Sequence, residues 1–215
     1  MNSIKSAGLI VLLSFAASLY VILQMPADIS LPIHWGIDGK PDAFADSTLV
    51  LLMSPMIMII ITILMAALKF LEPRKRNLEQ SKVGMQAVFW AIMVLLIALE
   101  AGYLLLASGY PVSMFKLVIS ALGLSFMIMG NYFGKVRSNF FIGIKTPWTL
   151  SSDTVWQKTH RLAGKLALGA GLISASLVWL VTAEFAGYLV IGLLLPSILV
   201  PAALSWWFWR LEQHS

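Results

Sequence analysis

Six long apolar runs, separated by short polar stretches, dictate what this chain can fold into. Hydrocarbon offers no partner for a free N–H or C=O, so a spanning segment must satisfy its own backbone, and runs of about 20 apolar residues do so as helices. They fall at about 7–23, 49–70, 83–107, 112–133, 166–182 and 188–209, by the length rule for a bilayer crossing. The expectation is an all-α fold: a polytopic membrane protein with six transmembrane helices, its residues 1–215 forming a single transmembrane domain. Composition excludes the soluble alternative. Of 215 residues 59% are hydrophobic and 12% charged, with a mean hydropathy of +0.86, far from a globular average. The absence of Cys removes disulfides, thiolate catalysis and Cys-based metal sites. The first run resembles a signal peptide, but its small residues Ala16-Ala17-Ser18 lie inside a run that continues to Leu23, which favours an uncleaved first helix.

Charge then sets the expected orientation. The loop 71–82 is rich in Arg74, Lys75, Arg76 and Lys82. The loop 24–48 carries Asp28, Asp38, Asp42 and Asp46 against Lys40 alone. Cations concentrate on the cytoplasmic side of bacterial spans. With both termini inside, all of the 15 Lys and Arg except Lys40 and Lys116 face the cytoplasm, including Arg210 at the end of the last run. Loop 24–48 is then outer, and loops 71–82 and 134–165 are cytoplasmic. The net charge of +5 sits in these short loops and is no footprint for direct nucleic-acid binding. Pro196 and Pro201 lie inside the last run, where each removes a helical donor and is expected to kink it.

The loop Gly134–Lys165, GKVRSNFFIGIKTPWTLSSDTVWQKTHRLAGK, is the most informative stretch. Lys135, Arg137, Lys145, Lys158, Arg161 and Lys165 stand against the single acid Asp153, among Phe140, Phe141, Trp148 and Trp156. Thr146-Pro147 stops a helix arriving from the N-terminal side. Ser151 or Ser152 is placed to cap a new one, with Asp153 in its first turn. From Val155 onward Trp156, His160 and Ala163 share one face, and Lys158, Arg161 and Lys165 turn toward the other. This predicts an amphipathic interfacial helix on the inner leaflet before span five.

NFFIGIKTPWTL (139–150), followed by Trp156 and by HRLAGK (160–165), resembles the signature of the SdpI family of bacterial multi-span membrane proteins. LPIHWGIDGKP (31–41) resembles the extracytoplasmic segment that follows the first span in that family. The resemblance implies a protein of the bacterial cytoplasmic membrane that confers immunity to a secreted, membrane-active peptide toxin. It further implies a receptor that holds a transcriptional repressor at the membrane. On that reading His34, Trp35, Asp38, Asp42 and Glu100 meet the toxin. Asn139, Thr146, Trp148, Trp156, His160 and Arg161 meet the cytoplasmic partner.

Each of these groups also has a plainer reading. Glu100 is the acid well inside a span, about 10 Å from its end by helical rise, and intramembrane acids are functional candidates. Lys116 lies at matching depth across the Gly109–Pro111 turn, so the two can instead form a structural ion pair. The outer loop is a docking surface for a cationic peptide, a turn-rich cap, or, as the weakest option, a His/Asp metal site. The inner loop is a recognition surface or an interfacial element with Trp in the headgroups and cations on lipid phosphate. His160 has no identified catalytic partner, and no nucleophile motif, phosphate-binding glycine loop or paired carboxylates accompany it, so no enzyme, cofactor or metal is expected. The alternative to immunity is a small transporter or permease with Glu100 as its coupling carboxylate.

Overall fold

Each apolar run forms a helix in the computed structural model, which describes residues 2–26 and 29–214. In chain order the elements are α1 (Asn2–Gln24), β1 (Ser30–Trp35), β2 (Pro41–Asp46), α2 (Ser47–Leu71), α3 (Lys75–Gln80), α4 (Lys82–Ala107), α5 (Met114–Phe133), α6 (Pro147–Ser151), α7 (Asp153–Leu177), α8 (Ala183–Leu189) and α9 (Leu195–Gln213). A π turn, Val190–Leu194, joins α8 to α9 just ahead of Pro196. Such a wider turn is where a helix absorbs the donor that proline lacks.

Among the described residues, five helices are long and apolar enough to cross a membrane: Ser3–Gln24, Ser47–Leu68, Lys82–Ala107, Met114–Phe133 and the continuous Ala183–Gln213. Large side chains such as Leu12, Leu23, Ile60, Ile63 and Leu199 stand exposed on them, as expected where lipid is the solvent. The expected fifth run is part of α7. That helix is long enough, but Gln157, Lys158, His160, Arg161 and Lys165 make its first half polar. The amphipathic helix expected on the leaflet surface is therefore corrected. It is the opening of α7 itself, and its Trp156–His160–Ala163 face is buried against protein.

Helices α1, α2 and α4 pack on one another, α7 packs against both α5 and α9, and the close packing of α4 on α5 across their tight turn joins the two groups. Gly109 takes φ +86° in that turn, a conformation that favours glycine. Between α1, α2 and α4 the core is Ala7, Val11, Met58, Phe89, Met93 and Leu96. Apolar burial drives little association in lipid; close backbone approach does. Glycine permits it between α5 and α7, where a Cβ on Gly130 would lie 2.7 Å from the Gly164 carbonyl oxygen.

The all-α expectation needs a second correction. Loop 24–48 contains a β-hairpin, with Leu31 opposite Ala45, Pro32 opposite Phe44 and Trp35 opposite Pro41. The turn is Gly36–Gly39, closed by Gly39 N–H donating to the Gly36 carbonyl at 2.9 Å, with Gly39 at φ +75°. Short strands carrying Pro32 and Pro41, with irregular pairing near His34, leave little period-2 signal in the sequence.

Candidate functional site

Two ends of the helical bundle carry polar structure: the β-hairpin at one and the segment 134–152 at the other.

The hairpin is seated on both helix groups. Leu31 is buried among Val50, Leu51, Tyr103 and Met114, and the Tyr103 hydroxyl donates to the Pro32 carbonyl at 2.8 Å. A Cβ on Gly39 would lie 2.6 Å from Ala183 Cβ and 3.0 Å from the Phe115 ring, so the hairpin tip rests on α8 and α5. Gly187 of α8 backs directly onto Ile37. His34 Nδ1 and Asp42 Oδ1 are 2.6 Å apart on the exposed face. Asp38 accepts from Lys40 N–H at 3.1 Å, and its carboxylate lies 3.6 Å from the Lys40 ammonium. Trp35 is half-buried against the Leu31 cluster. Asp46 is committed elsewhere, capping α2 through Leu49 N–H at 3.0 Å. Asp28 lies outside the described residues. Exposed Ile33, Ile37 and Phe44 add an apolar component that the sequence reading passed over. Among the described residues no three His, Asp or Glu side chains converge as a metal site would require.

Glu100 is not part of this face. It is buried, accepting from Ser14 Oγ and, at 3.2 Å, from Ser18 Oγ, both on α1. Ser18 Oγ also donates to the Leu51 carbonyl of α2 at 2.8 Å. The expected pairing with Lys116 is not formed: Lys116 Nζ donates to the Val181 carbonyl at 2.7 Å. The reason is rotational. α4 meets α5 through Gly102, whose missing side chain is replaced by Met114 and Leu117, and residue 100 lies about 200° around the helix from residue 102. The signal that would have found the true partners is Ser14 and Ser18, spaced i, i+4 on one face of an otherwise apolar run.

At the other end, segment 134–152 is tied down almost residue by residue. Asn139 is fully buried. Its Nδ2 donates to the carbonyls of Arg137 (2.8 Å) and Ile142 (3.1 Å), and its Oδ1 accepts from the N–H of Phe141 (2.9 Å) and Ile142 (2.8 Å). Glu72, also buried, accepts from the N–H of Arg74 and of Phe140, each at 3.0 Å, joining the end of α2 to the segment. Arg74 donates to Ser138 Oγ and lies over the Phe140 ring, 4.8 Å from its centroid. Glu72 lies in the cation-rich loop 71–82, and nothing local in the sequence marks this role.

Behind the segment, Trp156 and His160 stack at 4.0 Å. Trp156 Nε1 donates to the Val136 carbonyl at 2.7 Å. Ile144 N–H donates to His160 Nε2 at 2.9 Å, which leaves the ring proton on Nδ1, 2.8 Å from the Trp156 carbonyl. His160 lies ahead of the apolar part of α7. Burial pushes its pKa down to about 4, against a smaller upward pull from the Trp156 carbonyl. Its ring is thus neutral at physiological pH, with both nitrogens occupied. Thr146 caps α6 in a reciprocal box with Thr149 and meets Ser205 of α9 at 2.9 Å. Ser152 caps α7 through Val155 N–H at 3.2 Å.

The inner set of sequence candidates thus divides. Asn139, Trp156 and His160 are fully buried and build the segment. Thr146 and Trp148 are half-buried, and Arg161 is exposed. Buried side chains cannot form a docking surface by direct contact, so for those three the expectation of a displayed surface is corrected to an internal scaffold.

Comparison with known proteins agrees with this division of the chain. Residues 135–205 match the SdpI/YfhL protein family, and residues 9–59, which span α1, the hairpin and the start of α2, match a domain of unknown function, DUF1648. The chain is 29% identical over 204 residues to Immunity protein SdpI of Bacillus subtilis (strain 168), covering 94% of this chain and 93% of that protein. No solved structure matches it. The segment with the buried Asn139, Trp156 and His160 thus falls within the region that matches the SdpI/YfhL protein family, and the likeness to an immunity protein runs nearly end to end: the chain resembles the SdpI family.

Proposed function

We propose that this protein protects a bacterial cell against a secreted, membrane-active peptide toxin, as a binding protein rather than an enzyme. The similarity to an immunity protein over nearly the full length of both chains carries the reading. In this proposal the run 166–182, which begins in the apolar half of α7, is a sixth span and both termini are cytoplasmic, in keeping with the concentration of Lys and Arg in loops 71–82 and 134–165. The hairpin then faces outward in the cytoplasmic membrane. Its exposed His34, Asp38 and Asp42, beside Trp35 and Phe44, suit a cationic, amphipathic peptide, because acids steer the approach and aromatic rings supply contact area. Glu100, buried between α1 and α4, supports the helices below that face. The segment 134–165 faces the cytoplasm and presents Trp148, Lys158 and Arg161 to a protein partner, such as a transcriptional repressor held at the membrane.

The test is survival. A toxin-sensitive Gram-positive strain without its own immunity gene expresses the wild-type protein, or Trp35→Ala, Asp42→Asn or Trp148→Ala at matched membrane levels, and is challenged with the secreted peptide. Protection by wild type that is lost with Trp35→Ala and Asp42→Asn but kept with Trp148→Ala is the expected result. Survival no better than with an empty vector, for a well-expressed wild type, overturns the proposal.

A further inference from the structure

A cleft opens between α2, α4 and α5 at the end of the bundle that carries the 134–152 segment. It encloses about 260 Å³. Its walls include Met65, Met85, Phe89, Met129, Phe133 and Phe141. Along α2 it extends from Ile61 to Leu68 and along α4 from Met85 to Ile92, about 10 Å in each case. That is a large part of the roughly 15 Å hydrocarbon depth of a single leaflet. Leu64, on its rim, is 42% exposed toward the lipid side of α2. Three thioethers give the walls the adaptability that suits a flexible chain rather than a rigid ring system.

Two cations stand at Phe140 and Phe141, the second of which lines the cleft. Lys145 Nζ donates to the carbonyls of Phe140 and Phe141, each at 3.2 Å, and its side chain is exposed. An ammonium has three donors, so one remains for a ligand. The Arg74 guanidinium covers the neighbouring Phe140 ring. An apolar slot at leaflet depth, with two cations beside its Phe141 wall, matches one chemistry: an acyl chain joined to an anionic headgroup.

We propose that this cleft is a specific site for an anionic phospholipid, with one acyl chain between α2, α4 and α5 and its phosphate against Lys145. The site is independent of toxin binding and of which leaflet borders this end. Phe141, Ile142 and Gly143 form its wall, and Gly143 is packed from behind by Trp156 and His160. A bound chain therefore braces the same segment that Asn139 and Glu72 tie together.

Native mass spectrometry of the full-length protein, stripped in detergent and titrated with phosphatidylglycerol or phosphatidylcholine of identical chains, tests the site. Wild type is expected to retain one phosphatidylglycerol under conditions that remove phosphatidylcholine. Leu64→Trp and Val88→Phe, which fill the slot from different helices, lower the retained fraction by about tenfold. Lys145→Gln, at an exposed position outside the core, brings phosphatidylglycerol down to the phosphatidylcholine level. Equal retention of the two lipids by wild type overturns the proposal. So does unchanged phosphatidylglycerol retention in both filling variants, or an unchanged headgroup preference in Lys145→Gln.

Discussion

Asn139→Ala removes the side chain that ties the two arms of the bend at 137–142 to each other, and the structure sets the size of the effect. The amide makes four hydrogen bonds: two to backbone carbonyls and two from backbone N–H groups, all within its own segment. Asn139 has no exposed surface, so alanine leaves those four groups without their partner. A net hydrogen bond contributes about 1 kcal/mol and an orphaned buried group costs about 1–3 kcal/mol, with water relieving part of the loss as the bend loosens. The expected cost is about 3–5 kcal/mol, felt locally, because α4, α5 and α7 do not depend on this side chain. Hydrogen exchange reads local opening directly. In nanodiscs the amides of Phe141 and Ile142 should exchange roughly 100- to 4,000-fold faster, while those in the middle of α4 stay at the wild-type rate, by the tenfold-per-1.4 kcal/mol relation. Asn139→Asp keeps the acceptors for both N–H groups and loses both donors, so it should fall between the two. Exchange at Phe141 and Ile142 within about threefold of wild type would refute the view that Asn139 closes the bend.

Three further outcomes follow from the same geometry. The folded pKa of His160, about 4, lies below the unfolded value of about 6.5, so the neutral ring stabilises the fold fully above pH 6.5. That stability falls by about 1.4 kcal/mol per pH unit as pH drops from 6.5 toward 4; His160→Gln should flatten the dependence of the melting temperature on pH across this window, and an unchanged slope would count against it. Ser14→Ala combined with Ser18→Ala leaves the buried Glu100 carboxyl without both its donors and should cost about 2–4 kcal/mol, while Glu100→Gln, whose amide oxygen accepts from one serine and whose NH2 donates to the other hydroxyl, should melt closer to wild type; equal melting temperatures for all three proteins would show that the serines do not support residue 100. Gly39→Val meets both a positive φ and the Ala183 side chain, so the hairpin tip should lift from α8, with about 1–3 kcal/mol lost and faster proteolysis of loop 24–48; wild-type proteolysis would contradict the docking.

The helices were legible because a membrane imposes a single length and a single polarity on each span, and the five apolar runs needed nothing more. The caps were legible for an equally local reason: Ser152 and Asp153 announce the start of α7 in sequence, and Ser152 fills the role. What stayed hidden were relations that depend on rotation or on distant partners. Whether Glu100 faces Lys116 or α1 is a question of helical phase, which depth alone does not fix. The hairpin escaped because its strands are short and interrupted by proline. Trp156 and His160 were placed correctly on a common face, but which medium that face meets depends on the segment 134–146 folding back over it.

That last point changes what the resemblance to the SdpI family rests on. Several of the residues by which it is recognised, Asn139, Trp156 and His160, are buried and spend their polar atoms on the backbone of the segment. They specify a shape rather than a contact. Asn139 fixes the bend, His160 receives Ile144 N–H just beyond Gly143 at φ +130°, and Thr146 joins the segment to α9. Substituting any of the three buried residues should therefore disturb whatever this end of the protein does without showing what it touches. Exposed Lys145, Lys158 and Arg161, with the half-buried Trp148, stand on that scaffold and are free to meet a ligand or partner. Substitutions there separate contact from architecture, because they leave the bonds of Asn139 and His160 in place.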